Sequence, residues 1–352
     1  MTSTAAVFDL SELSSSTHAV ACEARDGLMR QPKSLSPWLF YDEAGSDLFE
    51  QITELPEYYL TRTERALFEA HTEEILREMG IAPEAPPSSQ ANGPIRLQYP
   101  LTIAELGAGT AAKTGILLRQ LTRIQHQVLY QPIDVSTSAL AQAQQLEREI
   151  PGMSVRPHVA NYVAEPYQIE RLRRSRVLAL YIGSSIGNFS PDEARSILRR
   201  LREQLRPGDG LLLGTDAAPS RHKTVESLCA AYEDAAGVTA AFNRNVLVRL
   251  NRELGADFRP ESFAHAAVWN ETESRMEMHL RSLSAQTVTI PANSAGPVLS
   301  VRFRAGETIH TENSYKFTSS RISELLRSAN FAAARSFADK NGLFCLTLAK
   351  VL

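Results

Sequence analysis

The segment Ile103 to Thr114, IAELGAGTAAKT, constrains the fold of this chain more than any other. Ile103, Ala104 and Leu106 read as the end of a buried strand. Gly107 and Gly109 then allow a tight turn in which backbone can approach a ligand with no Cβ in the way. From Thr110 the apolar spacing becomes helical (Ile116, Leu117, Leu118, Leu121), so the turn feeds a helix whose free N–H groups face the ligand. The next apolar run, Val128 to Ser136, ends in Asp134, an acid able to accept hydrogen bonds from ribose hydroxyls. Strand, glycine turn, helix, strand and acid make the front half of a nucleotide-type cofactor site.

The residues of the turn sort the candidate nucleotides. A dinucleotide fingerprint wants a third glycine at 112, where alanine is tolerated and Ala112 stands. A phosphate loop also wants glycine there, before Lys113 and Thr114, so GAGTAAKT falls short of that motif. Glu105 points elsewhere: it suits a cofactor carrying an ammonium, and S-adenosylmethionine carries both an ammonium and a sulfonium. Taken alone, the segment also fits a plain strand–helix turn with no ligand.

The chain has 352 residues, 43% of them hydrophobic, enough for one large or two ordinary domains with real cores. Its formal net charge of −3 gives no electrostatic case for nucleic acid or an anionic membrane. Two basic clusters (Arg171, Arg173, Arg174, Arg176; Arg199, Arg200, Arg202, Arg206) sit at helical spacing beside Glu170 and Glu203 and read as solvated helix faces. Cys22, Cys229 and Cys345 have neither metal spacing nor an even count for disulfides. No apolar run approaches about 18 residues, and MTSTAAVFDLSELSSS lacks a signal-peptide core. These features predict a soluble, cytoplasmic protein, expected to be a monomer, that binds no nucleic acid, membrane or metal.

Apolar strands recur with helices between them. Strands are expected at Leu101–Leu106, Gln127–Asp134, Ser154–Val159, Val177–Ile182 and Gly210–Asp216, and helices at Thr114–Ile124, Thr137–Glu149 and Pro191–Gln204. Ahead of them, Ile81 to Ile95 is a Pro/Ser/Gly-rich stretch expected to be an exposed loop. Five β/α units imply a parallel sheet with both faces covered. A helix at Ser319–Ser328 and strands Phe331–Ala338 and Leu343–Lys350 about Asn341-Gly342 add an antiparallel hairpin. The expected fold is therefore α/β, and five parallel units closed by such a hairpin resemble the seven-stranded Rossmann-like core of S-adenosylmethionine-dependent methyltransferases. A segment of roughly a hundred residues before the terminal helix is surplus to that core; it reads as one helix, Leu228 to Leu254, followed by alternating strands. With the N-terminus it is expected to form a second, substrate-binding domain. The resulting partition is 62–221 and 316–352 for the cofactor-binding core, with 10–61 and 222–315 for the lid.

Methyl transfer from a sulfonium is an in-line displacement, for which a protein supplies orientation more than covalent chemistry. YIGSSIGNFSP, Tyr181 to Pro191, ends the fourth strand, where ligands bind in open α/β sheets; Asn188 there offers both a donor and an acceptor, or caps the following helix. In GETIHTENSYKF, strand alternation puts Glu312 and Ser314 on one face with Cα atoms about 7 Å apart. A carboxylate and a hydroxyl so placed can engage the two nitrogens of an imidazole, and they also fit a solvated strand face. His279 and His310 have no third partner at metal spacing. Tyr41, Tyr58, Tyr59 and Tyr232 are either ligand donors or core residues with satisfied hydroxyls.

Together these segments resemble the L-histidine Nα-methyltransferases of ergothioneine biosynthesis. The matching blocks are FYDEAGSDLFEQITELPEYYLTRTE, AELGAGTAAKT, YIGSSIGNFSPDEA, LLLGTDAAP, AYEDAAGVTAAFNRNVL, NRELGADF, SRMEMHL and GETIHTENSYKF, spread over about Leu39 to Phe317. The resemblance implies that Glu312 and Ser314 hold the imidazole, with Met278 packing nearby. It implies that Tyr58, Asn188 and Tyr232 hold the amino-acid head group. Gly107, Lys113, Asp134, Asn161 and Tyr162 would hold S-adenosylmethionine; the family usually has an acid where this chain has Asn161. The implied reaction is three methyl transfers to the α-amine of L-histidine, giving hercynine. Asn188 would orient the amine, Tyr41 would serve as a proton relay, and no metal is required. The rival expectations are methylation of another aromatic amino acid, such as tryptophan, and a non-catalytic partner subunit.

Overall fold

The structure, a computed structural model, describes residues 10–81 and 99–352, with the side chains of residues 10–16 left aside. The Pro/Ser/Gly-rich stretch Ile81 to Ile95, apart from Ile81, and most of the leader read for a signal core lie outside the described residues. The chain divides into two compact units: one is built from the described residues of Met1–Ile52 with Tyr232–Val268 and Glu277–Glu312, the other from those of Thr53–Ala231 with Trp269–Met276 and Asn313–Leu352. The cuts fall at 52/53 and 231/232, against the expected 61/62 and 221/222, so Tyr58 belongs to the sheet unit.

Continuously buried apolar runs make the main sheet. Leu101–Leu106, Val128–Asp134 and Gly210–Asp216 are buried at every position, as strands covered on both faces must be. The strand order is Phe331–Ala338, Phe344–Val351, Gly210–Asp216, Arg176–Tyr181, Leu101–Leu106 and Val128–Asp134, then Met153–Val155. The Leu101–Leu106 strand lies parallel to both neighbours, Ile103 opposite Tyr130 on one side and Leu178 on the other. The terminal strands run antiparallel, Leu348 opposite Leu212. Asp339 knits their turn by accepting from the N–H groups of Asn341, Leu343 and Phe344, and Gly342 supplies a φ of 66°.

Two expectations need correcting here. The strand expected at Ser154–Val159 is two short pieces, Met153–Val155 and His158–Val159, each parallel to Val128–Asp134, so the sheet has eight strands. Pro157 lies between them and cannot donate to a ladder. The first basic cluster is not helical either: Arg171 lies in a loop and its guanidinium is spent on Asp209 and the Gln204 carbonyl.

Each face of the sheet carries its own core. One contains Phe68, Leu76, Leu117, Leu121, Tyr130, Leu180 and Phe344; the other contains Ala179, Ile197, Leu201, Leu211, Leu213, Leu326 and Phe331. Helix Pro191–Gln204 is fixed by a capping box, in which Ser190 and Glu193 satisfy each other's backbone N–H. Truncating a fully buried residue such as Leu180 to alanine costs about 2–5 kcal/mol.

The helix expected from Leu228 to Leu254 is broken. Helix Val225–Tyr232 stops, and Val238–Leu254 starts again after Gly237 at a φ of 75°. Asp234 forces the break: its carboxylate accepts from Val238 N at 2.9 Å and Thr239 N at 2.7 Å, starting a new helix. Aromatic packing then fixes Val238–Leu254 within its unit, Phe242 stacking on Phe40 with centroids 4.5 Å apart. A strand not expected from the sequence, Phe263–Asn270, ends a four-stranded sheet whose other members are Arg275–Ser282, Thr308–Tyr315 and Lys33–Ser34.

Candidate cofactor and substrate site

The glycine turn has the geometry its sequence requires. Gly107 and Gly109 sit at φ 67° and 51°, and Ala111 shares the left-handed region at 55°. Asp134 ties the turn to the neighbouring strand, Oδ2 accepting from Gly109 N at 3.0 Å and Oδ1 from Ser136 N at 2.9 Å. Burial pushes Asp134 above the usual carboxylate range, against the pull of those backbone bonds. Tyr162 arches over Gly107, where an added Cβ would lie 3.3 Å from its hydroxyl oxygen. These features form a cradle of backbone, carboxylate and ring that fits the adenosine part of S-adenosylmethionine.

Asn161 and Tyr162 are held by their own loop. Asn161 Oδ1 accepts from Val163 N at 3.2 Å, a turn that asparagine and aspartate close equally well, so the departure at 161 preserves the backbone. Arg200, read from the sequence as part of a solvated helix face, instead holds the loop by donating to the carbonyls of Tyr162 and Val163.

Glu105, read from the sequence as suited to an ammonium, is bonded to neighbours within its own unit. It is 1% exposed, and its two oxygens accept from the hydroxyls of Tyr130 and Thr114. Burial raises its pKa to about 7, with those hydrogen bonds and the charge of Lys113 pulling the other way. The carboxylate nearest Lys113 is instead Glu64, from helix Tyr59–Glu78, which pairs with Lys113 Nζ and accepts from Gly183 N. Gly214 makes room for it: a Cβ there would lie 2.3 Å from Glu64 Oε1. No local motif marks Glu64, because its partners lie 49 and 119 residues away.

Asn188 ends a 3-10 turn, Ser185–Asn188, and does not cap the next helix, since Ser190 does. Gly187 lets that turn lie against the strand that carries Ser314: a Cβ at 187 would sit 2.9 Å from the Tyr315 carbonyl oxygen. Beneath Ser314 lies a buried charge network. Lys316 Nζ donates to Ser314 Oγ at 2.8 Å and pairs with Asp216 Oδ2 at 2.7 Å. Asp216 also binds Lys223 and accepts from the Tyr59 hydroxyl at 2.9 and 3.0 Å. Burial would push Asp216 up, but Lys316 and Lys223 outweigh it and hold the carboxyl below its ordinary value. Of the adjacent tyrosines, Tyr59 is thus committed to Asp216, while Tyr58 precedes helix Tyr59–Glu78, 9% exposed.

The other unit holds Tyr41, Tyr232, Met278 and Glu312. Tyr41 packs edge-on against Phe49 and Phe242. Tyr232 ends helix Val225–Tyr232, and its carbonyl accepts from His265 Nε2 at 2.8 Å. Met278 is buried with Met276 and Leu280 on one side of its strand, whereas His279, on the other side, meets the ring of His310. The Met278 carbonyl accepts from Thr311, the residue before Glu312. A cavity of about 320 Å³ elsewhere in the sheet unit, lined by Gln131, His158 and Glu170 among others, includes none of the site residues expected from the sequence. Among the described residues, no group of three or more His, Cys, Asp or Glu side chains could hold a metal ion, and no helix is long and apolar enough to cross a membrane.

Comparison with known proteins gives this geometry a family. Residues 20–351 match the family described as histidine-specific methyltransferase, S-adenosylmethionine-dependent. The chain is 39% identical over 336 residues to the histidine N-alpha-methyltransferase of Mycolicibacterium smegmatis, covering 95% of this chain and 96% of that one. It is 39% identical over 332 residues to the protein of the same name from Mycobacterium tuberculosis, covering 94% of each. Ergothioneine biosynthesis protein 1 of Schizosaccharomyces pombe matches at 27% over 303 residues, 83% of this chain and 36% of that longer one. An α/β chain with a glycine turn tied to Asp134, matched from end to end in this way, belongs to the S-adenosylmethionine-dependent, histidine-specific methyltransferase family.

Proposed function

We propose that the chain is an L-histidine Nα-methyltransferase that methylates the α-amine three times to give hercynine, the trimethylated betaine of the ergothioneine route. The observation that carries this reading is the family match over residues 20–351, which takes in every candidate site residue. S-adenosylmethionine, when bound, supplies an electrophilic methyl group on a sulfonium. Gly107, Asp134, Asn161 and Tyr162 would hold its adenosine part and Lys113 its charged tail. Tyr58, Asn188 and Tyr232 would hold the head group of histidine, with Asn188 orienting the amine. Glu312 would accept from one imidazole N–H and Ser314 would engage the other ring nitrogen, with Met278 backing the strand that carries Glu312.

The attacking amine must be neutral. An α-amine with a pKa of about 8 to 9 leaves roughly a few per cent or more of the population neutral at about pH 7 to 8, so proton loss to solvent suffices, with Tyr41 as a relay. In this reading the seven-stranded core, the eighth strand being the second half of a split edge, binds the cofactor and supplies Tyr58, Asn188 and Ser314 to the substrate, while the other unit supplies Tyr232, Met278 and Glu312. The enzyme works as a cytoplasmic monomer, independent of nucleic acid and membrane, in keeping with a net charge of −3. The test is mass spectrometry of histidine incubated with the protein and S-adenosylmethionine. Stepwise gain of up to three methyl groups on the α-amine supports the reading; turnover of tryptophan in preference to histidine, or no turnover, defeats it.

A further inference from the structure

Asn243 is fully buried in the unit that holds Tyr232 and Glu312, and its side chain resolves a proton position. Its Nδ2 lies 3.1 Å from the His279 carbonyl oxygen and 2.8 Å from His265 Nδ1. A carbonyl only accepts, so the amide atom facing it is the NH₂ group, and the same NH₂ donates to His265. His265 Nδ1 is therefore unprotonated, and the ring proton sits on Nε2, which donates to the Tyr232 carbonyl at 2.8 Å. On the far side, Asn243 Oδ1 accepts from Thr311 Oγ1 at 2.8 Å, and that hydroxyl also lies 3.0 Å from the Met278 carbonyl.

We propose that His265 is a positioning residue for histidine binding, holding Tyr232 through Nε2–H and coupling it through Asn243 and Thr311 to the strand segments that carry Met278 and Glu312. The proposal rests on the assignment of Tyr232 and Glu312 to substrate. It predicts an acid-sensitive site. Protonated at Nδ1, His265 would face the NH₂ of Asn243. Turning the amide over would then set Oδ1 against the His279 carbonyl and lose that bond. Burial already lowers the His265 pKa; the nearby charges are Glu233 and Asp234 in the turn before Val238, which favour protonation, and Arg244 on the helix, which opposes it.

Glutamine can reproduce both bonds of this tautomer without titrating; leucine reproduces neither. Purified full-length wild type, His265→Leu, His265→Gln and Tyr232→Phe are compared by melting temperature, S-adenosylmethionine affinity, and kcat and KM for histidine from pH 5.5 to 8. In the leucine variant, KM for histidine is expected to rise about tenfold with cofactor affinity within twofold of wild type, and in the glutamine variant most of that loss is recovered. Substrate titration is common to both, so a shallower acid rise of KM in His265→Gln than in wild type isolates the His265 proton. If Tyr232→Phe raises KM but His265→Leu does not, or if glutamine fails to rescue, the positioning role is overturned while the substrate assignment stands. If Tyr232→Phe leaves KM unchanged, the assignment fails and takes the proposal with it.

Discussion

Both carboxylate oxygens of Glu64 accept from the backbone N–H of Gly183, at 2.9 and 3.0 Å, and the same carboxylate pairs with Lys113. A helix residue thereby fixes the end of the fourth core strand and the lysine that follows the glycine turn. With its side chain 1% exposed, Glu64 cannot be removed without leaving a donor and a charge unmatched.

Glu64→Ala should therefore cost about 3 kcal/mol of stability. Glu64→Gln keeps an acceptor for Gly183 and should lose less. Both should weaken S-adenosylmethionine binding, since Lys113 is no longer held. Urea unfolding and titration calorimetry on both variants give the two readouts; an unchanged midpoint in Glu64→Ala would show the contact to be energetically idle.

One substitution pair at Asp134 separates its observed tie to the glycine turn from the proposed bond to the cofactor. Asp134→Asn retains an acceptor for Gly109 N or Ser136 N, whereas Asp134→Ala retains none. If its carboxylate also accepts from the ribose hydroxyls, the alanine variant should lose roughly 1.5–3 kcal/mol of cofactor affinity and the asparagine variant less. Calorimetry on the folded variants decides it, and wild-type affinity in Asp134→Ala would remove the residue from the site.

The parts of this molecule that were readable in one dimension are those whose cause is local. Gly107, Gly109 and Asp134 were legible because a tight turn and a strand-end acid need those residue types at those places. The terminal hairpin was legible from Asn341-Gly342 for the same reason. Local signals also misled: the apolar spacing from Leu228 to Leu254 concealed the Asp234 cap, and Pro157 was passed over inside an apolar run. Glu105 looked like a ligand because its position was right, but its environment is made by Tyr130, 25 residues on. Glu64, Asp216 and Lys316 carry no motif, since only the folded chain brings their partners to them.

Glu312 should govern selectivity. A desolvated carboxylate facing an imidazole N–H penalises any substrate that lacks the donor. The wild type is expected to prefer histidine strongly over phenylalanine and tryptophan. Glu312→Ala should cut kcat/KM for histidine at least about a hundredfold, since lost buried charge-assisted bonds are worth several kcal/mol at most sites of this kind. Retention of histidine turnover in that variant would count against the imidazole assignment.

Glu105 should leave a mark on stability as a function of pH. Its ordinary value of 4.5 applies to the unfolded chain and about 7 to the folded one, so between those limits the folded state binds the extra proton. Its contribution is complete below about pH 4.5 and is lost as pH rises through about 7. Glu105→Gln should flatten the fall by up to about 3 kcal/mol. Melting curves from pH 4.5 to 8 for the two proteins provide the check, with parallel curves as the contrary result.

The triad of Asp216, Lys223 and Lys316 also bears on how this sequence can change. All three side chains are fully buried, so exchanging Asp216 for an apolar residue strands two lysines, and exchanging a second member after either lysine strands the last charge, at about 3–5 kcal/mol. That is a large part of the 5–15 kcal/mol by which a typical domain is stable at all. An apolar replacement of the whole triad could be harmless, yet every one-step route to it crosses a deep deficit. Asp216 and its last remaining lysine are thus tied into a single heritable unit, free to vary together and blocked from varying one at a time.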